Sequence, residues 1–255
     1  MKERDKFESS NIFEGIVSFR AVISAINENK SDRKILTVYY DKEKAKKKPK
    51  ELSFIKAKSF EQNFELILTD KGCIDELTLG NSHGGLAFVC TERSRPKLTE
   101  ESIQKDGLYV MLDGIEDPYN FGYALRSLYA SGITGLVLPE RNWLGAAGVV
   151  CRASAGASEL SDIFISKGDD LIPTFKSAGY RIVCADIENS VSMYDASLKK
   201  PLLLIIGGEK RGISRNILDK CDTVVRIEYG KDFPAALSAA SAATVLAFEI
   251  YRQNR

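Results

Sequence analysis

From residue 108 onward, short apolar runs alternate with segments of helical periodicity. Runs such as Leu108–Leu112 and Leu202–Ile206 are long enough for buried strands and too short for helices. Alternation of this kind predicts an α/β domain with a mostly parallel sheet and helices on both faces. We expect five or six strands in that sheet.

The other elements expected in this region follow from the same pattern. Further strands are predicted at Leu136–Leu138, Ile163–Ile165, Tyr180–Ala185 and Thr223–Ile227. Helices are predicted at Phe121–Ser131, Gly145–Ala157 and, rich in alanine at the end of the chain, Ala235–Gln253.

The first hundred residues predict a smaller α/β region. Its expected elements are a helix over 14–30, a strand over 35–40, a helix over 53–60, a strand over 64–68 followed by a polar turn, and a strand over 86–90. The polar segment 91–107 contains Pro96, as is typical of a linker followed by a short surface helix. We therefore predict two domains, 1–96 and 97–255.

The composition is that of a globular protein, with 44% hydrophobic and 28% charged residues. No apolar stretch is long enough to span a membrane, and the charged N-terminus lacks the apolar core of a secretory signal. Five scattered cysteines without a CxxC pair, and a single histidine, favour reduced thiols, a cytoplasmic location and no metal site.

Charge is distributed unevenly along the chain. Residues 1–98 carry 19 Lys and Arg against 15 Asp and Glu, whereas residues 99–255 carry 17 against 20. Most of the basic excess lies in the lysine run 41–50. A solvated loop between two strands is the favoured interpretation of this run, and a nucleic-acid contact is the alternative.

The apolar run Leu202–Ile206 ends at Gly207-Gly208, and Ser214 is a suitable N-cap for a short helix that follows. Strand-to-helix turns lie at the carboxyl edge of open α/β sheets, where bare backbone groups can hydrogen-bond a cofactor. An ordinary tight turn remains an equal alternative for this segment taken alone.

A second segment places polar residues after a predicted strand. Asn120 is a candidate N-cap, and Arg126 shares a helical face with Gly122 and Ala130, which offer it no carboxylate. A guanidinium without a local ion pair suits phosphate or carboxylate recognition. A solvated helix arginine is the alternative.

Several enzyme classes lose support from the sequence. Neither GxxxxGK[ST] nor GxGxxG occurs, and the single histidine, His83, lies in the other predicted domain. His83 sits in a Gly-rich turn, where a backbone hydrogen bond is a better explanation than catalysis. Hydrolase triads, P-loop chemistry and dinucleotide binding of the ordinary kind are therefore not expected.

Three segments together resemble the motifs of the SpoU (TrmH-type) family of RNA 2′-O-ribose methyltransferases, members of the SPOUT superfamily. The first motif, N-x-G-x-x-x-R, is matched by Asn120, Gly122 and Arg126, and the second, G-x-E-x-x-G, by Gly207, Glu209 and Gly212. The intervening SxGA signature corresponds to residues 154–157. The resemblance covers about residues 108–253, and residues 12–92 are similar to the family's ribosomal-protein-like substrate-binding domain.

The third motif departs from the family. Where members usually show Ser-Leu-Asn-x-Ser, this chain has Ala236, Leu237, Ser238, Ala239 and Ala240. Ser238 therefore stands in the place of an asparagine, and a serine hydroxyl offers one donor where the amide offers two.

The resemblance implies a C-terminal α/β trefoil-knot domain that binds S-adenosylmethionine and forms a homodimer through that domain. Its pocket is implied to be lined by six residues: Gly207, Gly208, Ile227, Tyr229, Ala236 and Leu237. The implied partner is RNA, with ribosomal RNA the expected substrate, and no metal is required.

The resemblance also implies catalytic roles. Arg126 is expected to stabilise the developing alkoxide, because an arginine stays protonated in proteins and is a poor general base. Glu209 is expected to orient the second motif or Arg126, Asn120 to brace the first motif, and Ser238 to act near the ribose hydroxyl.

Two other functions remain open. The altered third motif motivates a knotted RNA-binding protein with lost or altered catalysis. A nucleotide- or small-molecule-binding α/β protein, whose glycine turn serves another cofactor, is the third hypothesis.

Overall fold

The computed structural model describes residues 11–78, 83–139, 146–166, 168–208 and 211–255, with the backbone alone described at 168–170. These residues form two compact units. Of the described residues, those up to Ser94 and those from 146 to Leu160 belong to the first unit, and those from Arg95 to 139 and from Ser161 onward belong to the second. Residues 146–160, expected in the second domain, thus belong to the first compact unit.

The described residues contain helices and strands in the following order along the chain. Up to residue 90 they are β1 (Ile12–Glu14), α1 (Gly15–Asn27), β2 (Ile35–Asp41), α2 (Lys42–Lys47), α3 (Pro49–Gln62), β3 (Glu65–Thr69), α4 (Lys71–Leu77) and β4 (Leu86–Cys90). After a 3₁₀ turn at Glu100–Ser102 come β5 (Leu108–Asp113), α5 (Pro118–Ala130), β6 (Gly135–Pro139), α6 (Ala147–Ala153), α7 (Ala157–Leu160), β7 (Ile163–Ser166), α8 (Gly168–Ser177), β8 (Arg181–Ala185), β9 (Val191–Ser192), β10 (Leu202–Gly207), α9 (Arg215–Leu218), β11 (Thr223–Arg226) and α10 (Ala239–Asn254).

The second unit contains a parallel sheet. Its described strands pair in the order β7-β6-β5-β10-β8-β11-β9, and every pair is parallel. Leu202 to Ile206 are all buried, as expected for a central strand covered on both faces. The predicted strands are confirmed, with one addition: β9, only two residues long, carries too little pattern to be recognised in the sequence.

The order of these strands places a crevice at one edge of the sheet. β6 and β7 lie on one side of β5, whereas β10 and β8 lie on the other. The strand order reverses between β5 and β10, and the carboxyl ends of β10, β8 and β11 follow one another along the same edge of the sheet, where ligands usually bind in open α/β folds.

The first unit has a mixed sheet and its own core. In its described part the strand order is β1-β4-β2-β3, with β2 and β3 parallel and the other pairs antiparallel. Phe19 of α1 packs against Phe54, Phe64 and Phe88 in edge-on contacts. The expected first helix and the strands over 35–40, 64–68 and 86–90 are confirmed.

Two expectations for the first unit are wrong. The lysine run is helical rather than a loop, because the Asp41 carboxylate caps α2 by accepting from the amide of Glu43 at 2.8 Å, and Pro49 begins α3. The polar turn after β3 likewise contains helix α4. Strand β1, which pairs with β4, is also not predicted by the sequence, since three residues are too few to show a period.

The helix expected over Gly145–Ala157 is interrupted in the structure. α6 ends at Ala153, and Ala155 and Gly156 adopt positive φ values of 52° and 89°. The Ser154 hydroxyl then accepts a hydrogen bond from the amide of Ser158 at 3.1 Å, which begins α7. A side chain at Gly156 would lie 2.3 Å from the Cβ of Ala21, so the break also allows close packing on α1.

Candidate functional site

A cavity of about 570 Å³ lies at the carboxyl edge of the parallel sheet. Its wall is formed by the ends of β8, β10 and β11, the loop that follows β11, and the first turns of α10. All six residues expected to bind the cofactor lie on this wall: Gly207, Gly208, Ile227, Tyr229, Ala236 and Leu237. Residues from Gly207 to Leu237, on segments that are not contiguous in sequence, thus share one concave surface.

The glycine turn after β10 is held by close backbone packing. A Cβ at Gly207 would lie 2.4 Å from the carbonyl carbon of Gly212, and one at Gly208 would lie 2.2 Å from the carbonyl oxygen of Gly114. The amide of Gly212 donates to the carbonyl of Gly208 at 3.0 Å. Only glycine fits at both positions, and the backbone is consequently exposed to the cavity without side chains.

Aromatic residues close the loop after β11. The Tyr229 hydroxyl accepts a hydrogen bond from the amide of Leu237 at 3.0 Å, and the Tyr229 and Phe233 rings lie 6.3 Å apart. This contact joins the two ends of the loop. Ile227, Ala236 and Leu237 are then presented to the cavity as an apolar surface.

Charged residues that the sequence analysis did not single out also line the cavity. Asp186, directly after β8, accepts from the amide of Ile187 at 2.6 Å, and Glu228 pairs with Arg226 at 3.2 Å. Lys231 and Asp232 lie on the same wall. The sequence does contain a pattern that indicates Asp186, since it is a polar residue immediately after a predicted buried strand of the same sheet.

The cysteine next to the cavity wall, Cys184, is not an activated nucleophile. Cys184, one residue before the lining residue Ala185, is buried in β8. Burial, reinforced by the neighbouring Cys221, raises the pKa of the Cys184 thiol well above its ordinary value. The thiol stays protonated at neutral pH and is not activated.

The first motif lies on α5, but Asn120 is not the N-cap. The N-cap is Asp117, whose carboxylate accepts from the amide of Asn120 at 2.8 Å, and Pro118 occupies the first turn. Asp117-Pro118 is a stronger start signal than Asn120, because proline fits the first helical position. Asn120 is instead the third residue of α5, half-buried.

Arg126 lies on the exposed face of α5 together with Tyr119, Tyr123 and Ala130. Within the described part of the chain its guanidinium makes no hydrogen bond and no ion pair. The free cation expected from the sequence is therefore present. Arg126 and Asn120 are not among the residues that line the cavity of this single chain.

Ser238 caps the C-terminal helix. Its hydroxyl accepts from the amide of Ser241 at 3.2 Å and lies 3.0 Å from the Ser241 hydroxyl. α10 consequently begins at Ala239 rather than at the expected Ala235. Its neighbours Leu237 and Ala239 line the cavity, whereas Ser238 itself does not. Glu209, the acidic residue of the second motif, lies outside the described residues.

His83 has a structural environment in the first unit. Its Nδ1 accepts from the amide of Gly85 at 3.0 Å, and its Nε2 lies 2.7 Å from a carboxylate oxygen of Asp75. The expected turn histidine with a backbone hydrogen bond is confirmed.

The described ranges contain no group of three or more His, Cys, Asp or Glu side chains placed to hold a metal ion. None of their helices combines the length and the apolarity needed to cross a membrane.

The fold agrees with solved structures. An AdoMet-bound rRNA methyltransferase from Sinorhizobium meliloti superimposes with a TM-score of 0.77 at 23% identity, covering 98% of this chain and 90% of that one. The SpoU methyltransferase AviRb from Streptomyces viridochromogenes, in complex with AdoMet, gives 0.75 at 23% identity, with 96% and 91% covered. The chain therefore has the fold of these proteins.

Sequence comparison identifies relatives. A Staphylococcus haemolyticus protein assigned to the TrmH family of tRNA/rRNA methyltransferases is 34% identical over 59% of this chain, and the match spans only 61% of that relative's length. The 23S rRNA (guanosine-2′-O-)-methyltransferase RlmB of Shewanella oneidensis is 30% identical over 78% of this chain and 82% of its own. The model of the SpoU rRNA Methylase family matches residues 107–248, more than half of the sequence. The chain belongs to the SpoU rRNA methylase family.

Proposed function

We propose that this protein is an S-adenosylmethionine-dependent RNA methyltransferase that modifies a ribose 2′-hydroxyl, with ribosomal RNA as its substrate. The observation that carries this proposal is the convergence of all six expected cofactor residues on one cavity at the carboxyl edge of the sheet. Family membership and the RlmB relative, whose name states a 2′-O activity on 23S rRNA, support it further.

The cavity suits S-adenosylmethionine chemically. Gly207 and Gly208 present bare backbone groups that can pair with the edge of a purine, while Ile227 and Leu237 supply apolar surface for its faces. The carboxylates of Asp186 and Glu228 can accept from ribose hydroxyls or an ammonium group. When bound, the cofactor supplies a methyl group already activated on a sulfonium.

The residues of the chain must then position the ribose and favour the ionised hydroxyl. We assign that second task to Arg126, whose guanidinium is exposed and makes no intramolecular ion pair among the described residues. A fixed positive charge near the oxygen lowers the free energy of the developing alkoxide. Asn120 and Glu209 are proposed to brace the two motifs, and Ser238 to position the ribose.

The trefoil knot and the homodimer belong to the same proposal. Support for the knot comes from β10 and β11, the last strands of this sheet, which insert between earlier strands rather than adding at an edge. Support for the dimer comes from α5 and α10, which pack together and leave Tyr123, Phe248 and Tyr251 exposed. A partner covering these aromatic side chains would also approach Arg126.

Two measurements test the proposed function. Titration calorimetry should detect binding of S-adenosylmethionine and of its demethylated product, S-adenosylhomocysteine. Transfer of a tritiated methyl group into unmodified ribosomal RNA should follow, with ribonuclease-resistant dinucleotides marking 2′-O-methylation. Absence of cofactor binding at millimolar concentration would contradict the proposal.

A second candidate is a knotted RNA-binding protein with lost or altered catalysis. It is favoured by Ala236 and by the engagement of the Ser238 hydroxyl in capping α10, which leaves that group less able to serve a ribose. This candidate predicts RNA binding without methyl transfer. Tritium incorporation into RNA eliminates it.

A further inference from the structure

Helices α2 and α3 form a basic surface on the first unit. Residues 42–62 hold eight lysines and three glutamates, a net charge of +5 that exceeds the +4 of residues 1–98 as a whole. The two helices are separated by Lys48 and packed on one side: Ala45 and Ile55 are buried, and Leu52 and Phe54 pack against the core. The opposite side faces solvent.

Some of these lysines are already neutralised within the chain. Lys44 contacts Glu51 and lies over the Tyr40 ring, Lys46 pairs with Glu43, and Lys58 with Glu61. By contrast, four exposed lysines have no hydrogen bond or ion pair among the described residues: Lys47, Lys48, Lys50 and Lys56. Their charges remain available to a partner.

An exposed aromatic ring lies on the same helix as two of these free lysines, Lys50 and Lys56. Phe60 of α3 is 87% exposed, the highest value among the large hydrophobic residues of the described chain. It stands one helical turn after Lys56, on a face shared with Ser53 and Ala57, and about 15 Å along the helix from Lys50. Exposing the Phe60 ring to water costs free energy, and a ring so exposed contributes little to the packing of the core.

We propose that this α2–α3 surface binds an unpaired segment of the RNA substrate. Lys50 and Lys56 contact phosphates, and Phe60 stacks on a base. The inference rests on the proposed function and deepens it, because it identifies where the first unit holds the substrate. An array of free cations beside a single exposed ring matches a nucleic-acid strand, which carries regularly spaced charges and flat apolar bases.

A protein partner fits this surface less well. The centres of protein–protein interfaces are depleted in lysine and built from several adjoining apolar groups. Around Phe60 the same exposed face offers only Lys56, Ser53 and the methyl group of Ala57. Duplex RNA fits less well too, because stacking on Phe60 requires a base that is free of its neighbours.

The test measures RNA binding by the full chain with fluorescence anisotropy. The probe is a labelled single-stranded RNA of about 16 nucleotides, with its fully paired duplex for comparison. Phe60→Ala should weaken single-strand binding about tenfold, whereas Phe60→Tyr, which keeps the ring, should bind as wild type. Phe60→Leu, apolar without a flat face, should behave like Phe60→Ala.

The charge contribution is tested by salt dependence. Lys50→Gln/Lys56→Gln should lower the slope of log affinity against log salt concentration by about 1.4, which corresponds to two lost phosphate contacts on a single strand. The matched control is Lys34→Gln/Lys71→Gln, which removes two exposed, unpaired lysines elsewhere in the same unit. The control should keep the wild-type slope.

Three outcomes would overturn the inference: equal binding by Phe60→Ala and wild type, retention of binding by Phe60→Leu, or the same slope for both double variants.

Cofactor binding separates this inference from the proposed function. Phe60→Ala should bind S-adenosylmethionine as wild type does. If wild type binds the cofactor and methylates RNA while these variants bind RNA normally, the inference alone fails.

Discussion

At the scale of single residues, the site depends on positions where a side chain is absent or unpaired. Gly208 lies so close to the Gly114 carbonyl that even one methyl group would overlap it. This contact joins the end of β10 to the turn after β5, two segments adjacent in space through strand pairing. Arg126 is the opposite case, a long side chain that no intramolecular partner in the described residues restrains.

Gly208→Ala should distort the turn and weaken cofactor binding. The added Cβ would lie 2.2 Å from a backbone oxygen that cannot move alone, so we expect a loss of about 1–3 kcal/mol in stability together with a higher cofactor dissociation constant. Thermal unfolding and calorimetry measure both. Gly72→Ala, with nothing near its Cβ, is the control and should be neutral or slightly stabilising.

Arg126→Ala should impair turnover and leave cofactor affinity nearly unchanged. If the guanidinium stabilises charge only as the hydroxyl ionises, the single-turnover rate should fall by about 100-fold or more. The residue is exposed, so the variant should keep the wild-type melting temperature. Full activity at saturating RNA would show that Arg126 is a solvated residue or a simple phosphate contact.

At the scale of elements, a buried ion pair attaches the segment containing α6 and α7 to the rest of the first unit. Arg33 and Glu159 are each 1% exposed at the side chain, and their charged atoms lie 2.8 Å apart. Arg33 also donates to the carbonyl of Thr91 at 2.7 Å, and Arg93 donates to the carbonyl of Ser158 at 2.9 Å. The segment is therefore held by a buried ion pair and buried hydrogen bonds, and not by apolar packing alone.

Glu159→Ala should destabilise the first unit strongly. Removing one partner leaves the Arg33 charge buried, which costs about 3–5 kcal/mol. Urea unfolding followed by circular dichroism measures this cost. Glu61→Ala, which breaks the more exposed pair with Lys58, should cost less than about 1 kcal/mol. Equal effects of the two changes would contradict the argument.

At the scale of the whole molecule, exposed aromatic surface marks the proposed dimer contact. Phe248 on α10 is 44% exposed, while Leu246 and Ile250 of the same helix are buried within the chain. The helix thus uses one face internally and leaves another apolar face uncovered. Self-association would remove that face from water.

Phe248→Asp should convert the proposed dimer to a monomer. A carboxylate on each side of a two-fold contact places like charges together in a desolvated interface. Size-exclusion chromatography with light scattering should give twice the 28.2 kDa chain mass for wild type and the chain mass for the variant. Phe60→Asp, at the exposed position of the first unit, should leave the dimer intact. A monomeric wild type would contradict the proposal.

The sequence by itself determined the strands of the parallel sheet other than β9, and the glycine turn, because run length, hydrophobic period and glycine are local signals. It also indicated, through the family resemblance, six of the residues that line the cavity. Only the tertiary structure decided that Asp186 joins that wall, since β8 lies beside β10 through long-range pairing. It also decided that residues 146–160 belong to the first unit. There Gly148 packs so tightly on Ile12 that a Cβ would lie 1.8 Å from its carbonyl oxygen, and no local pattern encodes a contact between residues so distant in sequence.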